Sequence, residues 1–289
     1  MTAARPPGAR APERPVWIDG RMLRGDDAAL SVFDRGARDG AGIFETLRVY
    51  AGVPFAWQRH MERLVLSAAE LGFPVPPSPA TLHGAIAELL AEQGLADAVV
   101  RITVTRGIAG GRPVRAGAWI DAEPVAGRLW SGTRRGGARV VLASAPFQPG
   151  WLGRHKTTSR MAWDLAREEA RAAGADEALL VSPEGRVLEG AASNVFVLRD
   201  DEVLTPPLAH DVLPGITRAI VLELCGAMGI RRRETVVTPE HLRGAGEVFL
   251  TNSVQEVVPV AKLAGRELAP GETVPRLLAA YRERVRLGD

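Results

Sequence analysis

The stretch AGRLWSGTRRGG, residues 126–137, has neither the 3.6-residue spacing of an amphipathic helix nor the alternation of a strand. It is rich in glycine and arginine, and strongly patterned segments flank it on both sides. A chain interrupted in this way must bury its apolar residues in two packed units. The division reads 16–125 as an N-terminal α/β domain, 126–137 as the interdomain linker and 138–289 as a larger C-terminal domain. A length of 289 residues is ample for two such units. The first fifteen residues, MTAARPPGARAPERP, lack an apolar run and read as a disordered tail, not a signal peptide.

In the first unit, PVWIDGRML (15–23) predicts two short strands around an Asp-Gly turn, and IFETLRVYAGVPFAW a second hairpin. Met61, Leu64, Val65, Ala68 and Leu71 recur at helical spacing over 60–73, and Gly72 and Pro74 end that helix. Ser78 caps a second helix that runs to Gly94. AVVRITVTRG (98–107) and GAWIDAEPV (117–125) are strands. In the second unit, ARVVLASAPF (138–147) predicts a strand, SRMAWDLAREEARAAG a helix, and residues 177–206 successive short strands. TRAIVLELCGAMG is a helix, PEHLRGAG a short one, and EVFLTNSVQEVVPVAKLAG two more strands. TVPRLLAAYRERVRL closes the chain as an amphipathic helix. Strands and helices in segregated runs define an α+β class.

Charge and cysteine content exclude several roles. The 36 basic and 34 acidic residues leave a net charge of +2 with no concentrated basic stripe, so nucleic acid is not an expected partner. The single cysteine, Cys225, lies within a helical apolar pattern and rules out an internal disulfide or a zinc-finger framework. No apolar run approaches the roughly 18 residues of a membrane span. A cytoplasmic enzyme is the expectation.

Four stretches carry chemistry. Lys156 sits in GRHKTTSRMAWD, where a lysine in a water-poor pocket could form an imine with an aldehyde, although most lysines are simply solvated. Glu189 follows the strand GRVL and precedes the small-residue run GAAS, which lets backbone approach a ligand closely. A carboxylate there could keep a pyridine nitrogen protonated; taken alone it reads more simply as an exposed acid at a strand end. LPGITR (213–218) turns into a helix whose first N–H groups, with the Thr217 hydroxyl, suit a phosphate, or simply begin a helix. TNSVQEVVP (251–259) adds a hydroxyl and amide cluster in which Ser253 could reach the same phosphate. Arg59, just ahead of the helix over 60–73, could supply a permanent positive charge.

Taken in order, ETLR, RHMERL, HK, LEGAASNVF, LPGITR and TNSVQE resemble the fold-type IV aminotransferases, which depend on pyridoxal 5′-phosphate (PLP). That family includes branched-chain and D-amino acid aminotransferases, aminodeoxychorismate lyases and (R)-selective amine transaminases. The resemblance runs from about Val16 to the C-terminal helix and implies a two-domain fold with the cofactor between the domains. It makes Lys156 the lysine that binds the cofactor aldehyde and shuttles the Cα proton, and Glu189 the partner of the pyridinium nitrogen. Arg59, Ile216, Thr217 and Ser253 would hold the phosphate, with Leu213 against the ring and Asn194, Gly215 and Asn252 completing the cofactor site. Phe44, Arg106, Arg112, Arg160 and Val254 would face the substrate, and no metal is implied.

Within the family the pattern is mixed. Phe44 stands where well-known D-amino acid aminotransferases have tyrosine, and KTTSRMAWD lacks the tyrosine that branched-chain enzymes place soon after the lysine. Arg160 and the TRGIAGGR loop instead resemble the lyases. Arg106, Arg112 and Arg115 offer carboxylate binding or are solvated loop arginines. The expected activity is amino transfer between a branched-chain or D-type amino acid and a 2-oxo acid. The alternative is elimination of pyruvate from aminodeoxychorismate to give 4-aminobenzoate. A protein that only holds PLP fits poorly, because the lysine, the glutamate and the phosphate ligands are all present. The resemblance also implies a homodimer in which a neighbouring subunit's loop closes each site.

Overall fold

A computed structural model describes residues 12–110 and 115–288. The first part contains β1 (Val16–Ile18), β2 (Arg21–Leu23), α1 (Arg35–Asp39), β3 (Gly42–Tyr50), β4 (Val53–Pro54), α2 (Trp57–Glu70), α3 (Pro79–Gln93), β5 (Ala98–Thr105) and β6 (Gly117–Pro124). Its six strands form one antiparallel sheet in the order β2-β1-β6-β5-β3-β4. Asp19 and Gly20 both have positive φ, which suits the tight turn joining β1 and β2. Helices α2 and α3 cover the sheet, and Leu47, Leu64, Ile86, Leu89, Val100, Ile102 and Ile120 fill the space between them.

The connecting segment is more structured than its composition indicates. It holds α4 (Ser131–Arg135), a single turn too short to show periodicity. Tertiary hydrogen bonds fix it: the Trp130 amide and the Thr133 hydroxyl donate to the Gln255 side-chain oxygen, and Gln255 donates to the Arg128 carbonyl. Of the expected tail, residues 1–11 lie outside the described residues. Arg14 pairs with Glu123 at 2.7 Å, so the end of that segment lies against β6.

The second part contains β7 (Ala138–Leu142), α5 (Met161–Ala172), β8 (Glu177–Val181), β9 (Val187–Gly190), β10 (Asn194–Arg199), β11 (Glu202–Thr205), α6 (Ile216–Ala227), β12 (Arg231–Glu234), α7 (Pro239–Arg243), β13 (Glu247–Asn252), β14 (Glu256–Leu263), β15 (Arg266–Glu267) and α8 (Thr273–Leu287). Nine strands form a mixed sheet, β12-β11-β10-β13-β14-β7-β8-β9, with β15 beside β14. Both faces are covered. Val195, Val197, Val248 and Leu250 point to one side, while Phe196 and Phe249 stack at 4.8 Å on the other against α6 and α8. That is why NVFVL reads as a continuous apolar run. The strand expected to run to residue 147 ends at Leu142. α1 and β12 escape sequence reading, α1 because it is one turn capped by Asp34, β12 because RRRE is exposed throughout. Among the described residues no helix is long and apolar enough to cross a membrane.

Candidate active site

The loop after β7 is tied to the start of β3. Lys156 accepts at its carbonyl from the Phe44 amide at 2.8 Å, and the Thr158 amide donates to the Gly42 carbonyl at 2.8 Å. The hydroxyls of Thr158 and Ser159 both donate to the Gly40 carbonyl. The small hydroxylic residues beside the lysine therefore anchor its loop. A Cβ on Gly42 would come 2.7 Å from the Thr158 hydroxyl oxygen, so a side chain there would have to displace Thr158.

Lys156 opens into a cleft bounded by both sheets. Glu189, Asn194, Leu213, Gly215, Ile216, Thr217, Asn252 and Ser253 also line it, as do Phe44, Arg160 and Val254. Burial, then the positive charges of Arg160 and Arg63, push the Lys156 amine down to about 7, so a large share of it is neutral at physiological pH. Glu189, on β9, is 4% exposed. Its carboxylate accepts from Trp163 Nε1 at 3.2 Å and from the Leu213 amide at 3.0 Å. Both bonds favour the charged form, yet burial outweighs them and raises its pKa. A buried carboxyl in that state gains from a cationic partner.

The far end of the cleft is the start of α6. Gly215 is the N-cap, and no side chain caps the first N–H groups. The Asn194 amide donates to the Leu213 carbonyl at 3.0 Å and packs so closely that a Cβ on Gly215 would lie 1.9 Å from its oxygen. Asn194 thus sets the course of the loop that presents these N–H groups. Ser253 follows β13 nearby.

The cation at this end is Arg63. Its Nη1 donates to the Pro214 carbonyl at 2.8 Å, and its Nε and Nη2 grip the Glu45 carboxylate at 2.7 and 2.6 Å. Three of the five guanidinium N–H groups are used, leaving two for an anion. Burial alone would raise the Glu45 carboxyl, but Arg63 and His60 reverse this and hold it at about 2.

Two arginine expectations need correction. Arg59 is outside the cleft, and its guanidinium pairs with Glu223 on the surface of α6. The reason is rotational: His60, Arg63, Leu64, Ser67 and Ala68 follow the i, i+3, i+4, i+7, i+8 stripe that α2 turns inward, and Arg59 falls beside it. That stripe carries three polar side chains, so apolar spacing alone gave no signal for Arg63. Arg106 donates to the Leu71 carbonyl and lies over the Phe73 ring, away from the cleft. Arg115 is exposed. Arg112 lies outside the described residues. Besides Arg63, the sequence reading missed Arg101, the one charge in AVVRITVT. It lines the cleft with its guanidinium 3.6 Å from the Phe44 ring centre. Lys156 and Arg160 also approach that ring, at 4.6 and 5.8 Å.

The family model described as Amino-transferase class IV matches residues 42–263, well over half of the chain. The chain belongs to the class IV aminotransferases. A D-alanine aminotransferase of Bacillus licheniformis is 31% identical over 265 residues, covering 90% of this chain and 92% of that protein. A branched-chain aminotransferase of Thermoproteus uzoniensis, solved with norvaline, has a TM-score of 0.83 at 30% identity, with 93% of this chain and 94% of that one covered. A second branched-chain amino acid aminotransferase, from T.th. and complexed with N-(5′-phosphopyridoxyl)-L-glutamate, gives 0.83 at 30% identity and 94% of both chains. This class IV aminotransferase therefore has the α+β, fold-type IV architecture and is a PLP-dependent enzyme. The comparisons favour amino transfer over the lyase alternative.

Proposed function

We propose that this cleft transfers an amino group between an amino acid of branched-chain or D type and a 2-oxo acid. The observation that carries the proposal is the arrangement of the cleft wall. It offers an amine near neutrality, a buried carboxylate that lacks a full cationic partner, and an uncapped helix start beside a half-satisfied arginine. These suit the aldehyde, ring nitrogen and phosphate of PLP respectively.

Lys156 Nζ would hold the cofactor aldehyde, Glu189 the pyridine nitrogen, and Arg63, Thr217, Ser253 and the Ile216 amide the phosphate. Bound there, PLP supplies the electron sink that a carbanion at the substrate Cα requires. The protein groups do the rest. Lys156 Nζ, neutral in part because it is buried, would take the substrate Cα proton and return it two atoms away, across the substrate nitrogen. Glu189 would keep a proton on the ring nitrogen, and its own bonds to Trp163 and Leu213 stop it from turning aside. Arg101 and Arg160, flanking Phe44, would hold the substrate carboxylate; Arg160 already has one N–H committed to the Ala191 carbonyl at 2.6 Å. Phe44 has no hydroxyl to add to that grip.

A homodimer belongs to the same reading. Val32, Phe33, Ile108, Trp151 and Met161 are exposed apolar residues, and Asp34 bridges to Ile108, so two of the segments that bear them are adjacent. Light scattering at micromolar concentration gives the mass directly. For the activity, borohydride reduction of the pure protein should fix PLP on Lys156, and mass mapping of the adduct to Lys262 would sink the assignment. Panels of L-branched-chain and D-amino acids with 2-oxoglutarate, and aminodeoxychorismate in parallel, then identify the substrate class.

A further inference from the structure

Ser253 has one hydroxyl proton and two neighbours that call for it. Behind the cleft wall, Glu45 and His60 are each 1% exposed. The Glu45 carboxylate, held ionised by Arg63, can only accept, so the 2.7 Å contact puts a proton on His60 Nδ1. In a neutral ring Nε2 is then a bare acceptor, and it faces Ser253 Oγ at 3.4 Å. Ser253 can serve it only by turning its O–H toward His60, which aims the Oγ lone pairs at the cleft. A phosphate dianion in the cup is also an acceptor. One proton cannot satisfy both.

A protonated ring removes the conflict. Nε2–H then donates to Oγ, and the Ser253 hydroxyl turns to the anion. The charges facing the ring come from three elements. Glu45 on β3 favours the imidazolium; Arg63 on α2 and Lys156 in the loop before α5 oppose it, as does burial. Burial wins in the free protein, holding the ring below its ordinary value and neutral. A dianion beyond Ser253 adds a second attractive charge on the far side of the ring.

We propose that His60 is a positioning residue that takes up one proton from solvent when a phosphate ester enters the cup, and relays it as a hydrogen bond through Ser253. This rests on the phosphate cup described above. Only an N–H bond forms, and the proton returns to solvent when the ester leaves. Binding is then strengthened at low pH and weakens as pH rises through the bound-state pKa of His60.

Benzyl phosphate tests this cleanly, because it lacks both the aldehyde that reacts with Lys156 and the nitrogen that meets Glu189. The full chain, freed of cofactor and carrying 15N-labelled histidine, is titrated between pH 7 and 8.5, above the phosphate's own second pKa of about 6. With five histidines in the chain, the His60 ring nitrogens can be assigned. The expected result is a ring protonated on Nδ1 alone in the free protein and on both nitrogens when saturated. The dissociation constant should rise toward tenfold per pH unit across the window between the two pKa values. Ser253→Ala should still bind, with a neutral ring and a flatter pH dependence. Binding with a neutral His60, or identical behaviour of Ser253→Ala and the parent, overturns the relay and leaves the cup standing. Failure of benzyl phosphate to bind and to compete with PLP overturns the cup and the relay together.

Discussion

Glu45 and Glu189 are one residue type, both buried, on either side of one site, yet their carboxyls move in opposite directions. Glu45 meets the bidentate grip of Arg63 and the imidazole of His60, and is held at about 2. Burial raises Glu189 despite the neutral indole and backbone N–H groups it meets and the charges of Arg160 and Lys156, neither of which forms an ion pair with it. Burial is common to both; the charge of the partners decides the sign. Glu45 is internally satisfied and serves structure. Glu189 is left short of a cation, and so has capacity for one that arrives with a ligand.

The contrast can be broken by experiment. The largest effect is expected where the two ends meet at Lys156: Lys156→Ala should lower amino transfer by roughly 10⁴-fold at any PLP concentration, while the protein keeps some PLP through the cup and Glu189. Activity regained with added PLP would contradict that.

Next is acid stability. The Glu45 carboxyl is depressed from 4.5 to about 2, so its contribution is complete above 4.5 and is lost as pH falls through 2. It should amount to something on the order of 3 kcal/mol. Urea unfolding between pH 2 and 6 measures it, and Glu45→Gln should flatten the curve in that window. Glu189, with its raised carboxyl, contributes the opposite sign: it is destabilising where it must ionise, so Glu189→Gln should not reduce stability at neutral pH.

Glu189→Gln should instead act on chemistry, lowering kcat by about 100-fold, or roughly 3 kcal/mol on the barrier, with PLP retained. An unchanged kcat at saturation would remove it from the mechanism. Arg63→Ala should weaken PLP binding by about 2–3 kcal/mol, read by equilibrium dialysis, and should also loosen Glu45. The smallest effect belongs to Arg59→Ala, whose PLP affinity should stay within about twofold of the parent because its partner is a surface carboxylate. If these two arginine variants exchange behaviour, the cup has been assigned to the wrong face of α2.

Elements governed by neighbouring residues were legible in the sequence. The Asp-Gly hairpin, the Ser78 cap, the Gly94 stop and the Pro-Gly entry to α6 all come from local backbone preferences, and each stands where expected. Lys156 and Glu189 were legible only through the order of the motifs around them, since each taken alone reads as a solvated charge. What the sequence could not rank was the arginines. Arg59 and Arg63 lie one turn apart in RHMERL, and only the rotation of α2 against β3 and the Leu213–Gly215 loop turns Arg63 inward. The partners of His60, Glu45 and Ser253, are 15 and 193 positions away. Arg101 alternates with Val100, Ile102 and Val104 along β5, so its face could be read, but only the packing shows that this face opens to the cleft at Arg101 while Thr103 and Thr105 beside it are buried. Local propensity acts over a few residues, whereas the sign of a buried charge depends on whatever the fold brings within about 4–6 Å of it, and that is a property of packing.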